Sequence, residues 1–242
     1  MDSRTLRLDL RPYQASPRSA PHLAIPPTET DRSRTITIGS VTWQELGIEA
    51  RLPKWLVQMV EGKKCRVVFT EGVTPTTTVG DKARIAGIEP ERILKTLIVK
   101  DRYGERGVFM VVAVGQRTIR LREMAAELGT LRPESGIDED TGLGISEKIP
   151  SGMVAGTCTP FLDENAARKI GFMVLESPDA RVVGKKGKDS GRLGSLEVDV
   201  SIGGTDDAAH SLSIRIRYDD LFGALCAQYP DKICAVDSIP RG

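Results

Sequence analysis

Four stretches of the chain carry residues whose types and spacing could do chemistry. The first is Ser151-Gly152-Met153-Val154-Ala155-Gly156-Thr157-Cys158-Thr159-Pro160-Phe161, with two glycines four residues apart and a proline four further on. Glycine permits positive φ and lets a ligand approach main-chain N–H groups, and proline stiffens the exit. Such a ribbon can hold an oxyanion or a phosphate, although many glycine-rich segments only turn the chain. The second is Lys95, flanked by Ile93 and Leu94 before it and by Leu97, Ile98 and Val99 after it. An ammonium held that close to an apolar strand must find a partner or reach a rim, either as a snorkelling or ion-paired lysine or as a fixed point charge for an anion. The third is His210, the only histidine outside the N-terminal segment that contains His22. It stands where a loop re-enters a strand, and an imidazole there can idle or can orient and deprotonate water. The fourth is the acidic pair Asp206-Asp207.

Other chemistries lack the residues they need. Cys158 lies inside the glycine-proline ribbon, but no second histidine and paired acid stand ready to build a nucleophilic triad, so it is read as a small pocket-lining residue. Adjacent carboxylates at Asp206 and Asp207 point apart and bring no further ligands, so no metal is expected.

These residues must be positioned by elements, and the pattern alternates strands with helices. A short strand is predicted over 35–38, ended by Gly39, and a helix from Pro53 to Gly62. A strand follows over 65–69. Thr78, three residues before Asp81, caps a helix closed by Gly87. Pro90 opens a helical turn that runs into the strand 94–99, which carries Lys95. The continuous apolar run 108–114 reads as a central strand buried on both faces, turned by Gly115. A helix is predicted over 121–128, a polar loop over 134–144, a helix over 163–170 capped by Asp163, and a strand over 172–175. Residues 184–195 are rich in glycine and lysine and read as a flexible basic loop, either solvated or touching phosphates. Residues 196–202 and 212–217 alternate cleanly around the turn-rich segment Gly203–His210 and form a hairpin. Asp219 or Asp220 caps a last helix, and 233–236 is a closing strand. The fold class is α+β, a single mixed domain over 35–242.

Composition sets the outer limits. Lysine plus arginine (34) nearly cancels aspartate plus glutamate (33), so any RNA contact must come from a local patch. Four cysteines without a CxxC pair read as reduced thiols of a cytoplasmic protein, and no apolar run approaches the ~20 residues of a membrane span. Five of the 14 prolines fall in residues 1–34, among Ser, Arg and Thr, so this segment is expected to be a disordered tail.

Four blocks, in order from about Thr76 to Ser238, resemble the YbaK / prolyl-tRNA-synthetase-associated editing domain family. They are Thr78-Val-Gly-Asp-Lys-Ala followed by Gly87-Ile-Glu-Pro-Glu-Arg-Ile-Leu-Lys95-Thr-Leu-Ile-Val; Val111-Val-Ala-Val-Gly115 with Leu121–Gly129; the GxxxGxxxP ribbon of Gly152, Gly156 and Pro160; and Gly203-Gly204-Thr-Asp-Asp-Ala-Ala-His210 with Tyr218-Asp-Asp-Leu. The resemblance implies a central, barrel-like mixed sheet surrounded by helices, and a domain that hydrolyses the ester of mischarged aminoacyl-tRNA without metal or organic cofactor. It implies catalytic roles for Lys95, Gly156 and His210, with Lys95 against the terminal adenosine and its phosphate. It implies substrate contacts for Thr96, Gly152, Thr157, Cys158, Pro160, Gly203, Gly204 and Asp207. Thr157 stands where cysteinyl-tRNA-editing members usually have a second glycine, which leaves alanyl, cysteinyl and seryl/threonyl esters all open as substrates. The implied partner is the aminoacyl-tRNA acceptor end, and a synthetase could dock on the N-terminal tail. The alternative is a non-catalytic module that binds a tRNA end or a synthetase with the same pocket.

Overall fold

The computed structural model describes residues 33–36, 52–70, 73–74, 77–101, 107–115, 120, 123–124, 143–146, 158–183, 189–203 and 210–236. Eight of the strands follow one hydrogen-bonded path, β1-β2-β10-β9-β3-β4-β6-β11, with β5 added along β3. They are β1 (Ser33–Ile36), β2 (Cys65–Thr70), β3 (Ile93–Asp101), β4 (Val108–Val114), β5 (Leu143–Ile145), β6 (Met173–Glu176), β9 (Glu197–Ser201), β10 (Leu212–Arg217) and β11 (Ile233–Val236). A separate two-stranded ribbon pairs β7 (Arg181–Val183) with β8 (Asp189–Arg192). The large sheet is mixed: β3–β9, β4–β6 and β6–β11 are parallel and the remaining pairs antiparallel. With helices α1 (Lys54–Glu61), α2 (Val79–Ala86), α3 (Glu164–Lys169) and α4 (Tyr218–Gln228), this is the mixed α and β architecture expected from the sequence.

Helix ends form where side chains can satisfy free backbone groups. The Thr78 hydroxyl accepts from the Asp81 N–H at the start of α2, and Gly87 ends it at φ 65°, where a Cβ would be strained. The Asp163 carboxylate accepts from the Ala166 N–H at the start of α3. α4 departs from expectation, because Arg217 is its N-cap with no side-chain bond, and Asp219 and Asp220 lie in the first turn. There they still face the positive end of the helix dipole.

β4 shows why the apolar run 108–114 has no period. Met110, Val112 and Val114 join a large core with β2, β9, β10, α1, α3 and α4, whereas Phe109, Val111 and Ala113 join a second core with Leu97, Val99, Met124 and Leu143. Both faces of this strand are covered, so every position is apolar. Phe109 stacks on Phe172 with centroids 4.6 Å apart.

Three expectations need correction. β1 lies two residues earlier than the alternating Thr35–Ile38, with Ser33 paired to Thr70 and Ile36 to Val67, so Ser33 and Arg34 belong to the sheet and not to a tail. β5 occupies part of the predicted 134–144 loop; a three-residue strand with a central glycine offers no readable period. The C-terminal part of the 184–195 segment is ordered: β8 pairs with β7, and Leu193 is fully buried in a 3-10 turn against the large core. The helix expected over 121–128 lies outside the described residues except for Glu123 and Met124, which are helical. All four cysteines are free thiols, and no helix among the described residues is long and apolar enough to cross a membrane.

Candidate functional site

β3 shares one of its edges between two partners. β9 pairs with its first residues, Ile93 with Asp199 and Leu94 with Val200, and then leaves. β5 pairs with its last residues, from Val99 opposite Ile145 to Asp101 opposite Leu143. Among the described residues, Lys95, Thr96 and Leu97 fall between these two partners, at a fork in the sheet. Both departing chains head toward this fork. β9 runs parallel to β3 and passes through Ser201, Ile202 and Gly203 into the hairpin that returns at His210. β5 runs antiparallel to β3, and the Ser146 N–H donates to the Ile98 carbonyl at 2.9 Å just before the glycine-proline ribbon begins. A divergence of strands beside a charged side chain is a common place for a ligand in α/β sheets.

Lys95 opposes Ala113 on β4 and alternates with Leu97 and Val99, which places it on the face of the second core. Burial pushes its ammonium down to about 8, because a charge loses hydration there. At neutral pH it is still mostly protonated, and an arriving anion would restore part of the lost hydration. Thr96, on the opposite face, is buried.

The hairpin brings its two ends together. Ser201 pairs with Ser213, Gly203 has φ 77° with its N–H on Ser201 Oγ at 3.4 Å, and His210 is only 7 % exposed. The Ser211 hydroxyl donates to the Val73 carbonyl at 3.4 Å, which ties the returning strand to the segment before α2. Lys95 is thus one residue beyond the last β3–β9 pair, at the sheet end where the His210 hairpin starts and finishes. The structure brings Lys95, Thr96, Gly203 and His210 to this one end. Cys158 and Pro160 lie at the exit of the glycine-proline ribbon. Cys158 packs against the large core, Pro160 is buried, and Phe161 meets Trp55 edge-on at 5.7 Å. Burial raises the Cys158 thiol to about 11, so it is not a thiolate near neutrality. Gly152, Gly156, Thr157, Gly204 and Asp207 lie outside the described residues.

A buried polar cluster beside the fork was missed by sequence reasoning. Asp199, 1 % exposed, receives Lys82 Nζ at 2.9 Å on one oxygen, and the Ser213 hydroxyl at 2.8 Å and Arg215 Nε at 3.3 Å on the other. Arg215 also reaches the Ala86 carbonyl at 3.5 Å. Burial alone would raise the Asp199 carboxyl. The charge of Lys82, the hydrogen bonds from Lys82 and Ser213, and the charge of Arg215 outweigh it and hold the group below the usual carboxylate range. The only available signal was an acid between two valines in Val198-Asp199-Val200. Alternation reads such a residue as facing water, but α2 covers that face. Among the described residues no group of three His, Cys, Asp or Glu side chains is placed to hold a metal.

A family model for the aminoacyl-tRNA editing domain matches residues 73–168, which span α2, β3, β4, β5, the glycine-proline ribbon and most of α3. No curated protein matches the chain. Among solved structures, one described as a candidate trans-editing enzyme for prolyl tRNA synthetase aligns at 16 % identity and TM-score 0.44, covering 76 % of this chain and 96 % of that one. A hypothetical protein aligns at 18 % identity and TM-score 0.44, covering 76 % of this chain and 98 % of its own. A scaffold used for epitope backbone grafting aligns at 17 % identity and the same TM-score, covering 76 % of this chain and 96 % of the scaffold. Residues 73–168 are thus similar to the aminoacyl-tRNA editing domain family, the family that the motifs resemble.

Proposed function

We propose that the chain is a trans-acting, cytoplasmic deacylase that hydrolyses the ester of mischarged aminoacyl-tRNA. The observation that carries this reading is the fork on β3, where Lys95 stands at the sheet end that also carries the His210 hairpin. It gains support from the family match over the same strand.

The chemistry asks little of the protein. An aminoacyl ester is already activated, so water can attack its carbonyl directly. In this reading the Lys95 ammonium holds the terminal adenosine through its phosphate, as a point charge at the fork. Main-chain N–H groups of the ribbon around Gly152 and Gly156 receive the developing oxyanion, where one donor is worth about 3 kcal/mol of barrier. His210 orients the water and takes its proton. The C–O bond to the ribose then breaks, and the ribose oxygen leaves with a proton as a hydroxyl. Thr96, Thr157, Cys158, Pro160, Gly203, Gly204 and Asp207 bound the pocket. No covalent nucleophile is required, in keeping with a Cys158 thiol that burial holds protonated. Selection is by side-chain size, and one methylene distinguishes substrates by only about 1–3 kcal/mol. Alanyl, cysteinyl and seryl/threonyl esters are the substrate candidates, and residues 1–32, ahead of β1, are the candidate synthetase-docking segment.

The test is deacylation of Ala, Cys, Ser, Thr and Pro esters on matched tRNAs. Release of at least one amino acid well above the spontaneous rate is expected. Tight binding of the acceptor end with no release would overturn the catalytic reading in favour of a binding module. Capture of a synthetase by the full chain, lost on deleting residues 1–32, is the matching test of the tail.

A further inference from the structure

We propose that Asp199 is a positioning residue for the candidate site, a buried anionic post that fixes the base of the His210 hairpin and α2 against β3. This rests on the deacylase reading for its catalytic consequence but not for its structural one. Asp199 is the meeting point of four elements. It belongs to β9 and lies opposite Ile93 of β3. It receives Ser213 and Arg215 from β10, the other arm of the hairpin, and Lys82 from α2. Arg215 extends the tie to the last residue of α2 through the Ala86 carbonyl. From Asp199 to Lys95 is two residues along and one strand across, about 8 Å between backbones.

The position explains why the tie is ionic. Among the described residues the hairpin's ladder pairs run from Ser201–Ser213 down to Glu197–Arg217. Ser201–Ser213 is the topmost described pair, and the Ser213–Asp199 bond clamps it diagonally from two register steps below. Lys82 and Arg215 side chains are only 12 % and 14 % exposed. Without the carboxylate, two nearly buried cations would face each other between α2 and β10 and push these elements apart. The cluster does not touch the proposed reacting atoms. Its effect would pass through where the hairpin holds His210.

The test reads hydrogen exchange and kinetics separately on the full chain. In Asp199→Asn, amides of residues 198–203, 210–216 and α2 should exchange at least tenfold faster, while those of β4, β6 and β11 keep their rates. With the edited ester as substrate, kcat should fall at least tenfold with KM changed less than threefold, because the acceptor-end contact at Lys95 remains. If Asp199→Asn does not fold, Asp199→Asn with Lys82→Met restores the cluster's net charge, and Ser213→Ala removes one bond alone. Both should still loosen the hairpin selectively. Unchanged exchange in the hairpin of a folded variant, or acceleration spread evenly over the sheet, overturns the proposal. Selective loosening with kcat unchanged overturns its catalytic part. A wild-type chain that deacylates nothing sinks the deacylase reading instead, and the exchange result then decides the post by itself.

Discussion

Lys95 has an ammonium whose value near 8 places its charge within reach of ordinary assay conditions. If deacylation needs the charged form, the rate should decline as pH rises through about 8, and Lys95→Ala should lose most activity at every pH. A pH–rate profile of the two proteins checks this, and full turnover by Lys95→Ala would remove Lys95 from the site. The same shift has a stability consequence of definite sign. Between about 8 and the ordinary value of 10.5, the unfolded chain binds the lysine proton while the folded chain does not. Stability contributed by this residue therefore rises with pH across that window, and the penalty is fully present below it. Denaturant titrations of wild type and Lys95→Met at pH 7 and pH 10 should show the difference between them shrinking toward the higher pH. His210→Ala should cost no more than Lys95→Ala, and roughly 10²-fold or more if the imidazole is a general base. Cys158→Ser should leave most of the turnover intact, which a nucleophilic cysteine would not allow.

At the scale of elements, the ties between strands and helices carry testable energies. Asp199 is held below the ordinary carboxylate value of 3.8, so it contributes stability that is complete above that value and is lost as pH falls through its lower folded one. Asp199→Asn should cost about 3–5 kcal/mol near neutrality, since it leaves buried cations without their counter-charge. The gap to wild type should narrow in acid. Tyr218, fully buried at the start of α4, donates its hydroxyl to the Glu176 carbonyl at 2.7 Å and so pins that helix to β6. Tyr218→Phe removes that hydrogen bond, for a loss of about 0.5–1.5 kcal/mol in chemical denaturation. Leu193 performs a similar task for the β7–β8 ribbon. Its side chain is fully buried, and Leu193→Ala should cost about 2–5 kcal/mol, a loss that a solvated loop would not show.

Across the whole molecule, β3 and β4 separate the two cores and hold Lys95 at the fork. Phe109, fully buried on β4 and stacked on Phe172, belongs to the smaller core on the Lys95 face. Phe109→Ala should destabilise by about 3–5 kcal/mol, read by thermal or denaturant unfolding. The β1 edge strand and the β11 edge strand lie at opposite ends of the path, so the candidate site sits away from both, near the middle of the sheet.

Local chemistry by itself determined much of this arrangement. Thr78 with Asp81, Asp163 with Ala166, and Gly87 are capping solutions complete within a few residues, so the ends of α2 and α3 were legible. The alternation in β9 and β10 and the continuous apolar run of β4 likewise report the faces that must be covered. The motifs that resemble the editing family were legible in the sequence too, and the family model matches the part of them over residues 73–168. Tertiary structure alone decided which residues meet. β5 is a strand only because β3 has a free edge there, and Leu193 is buried only because the large core reaches it. Asp199 reads as a solvent-facing acid until α2 lies across it, since alternation tells one face of a strand from the other but not what covers each. The approach of Lys95 to the His210 hairpin, more than a hundred residues away in the chain, is set by the register of β3 against β9, which no spacing in the sequence encodes.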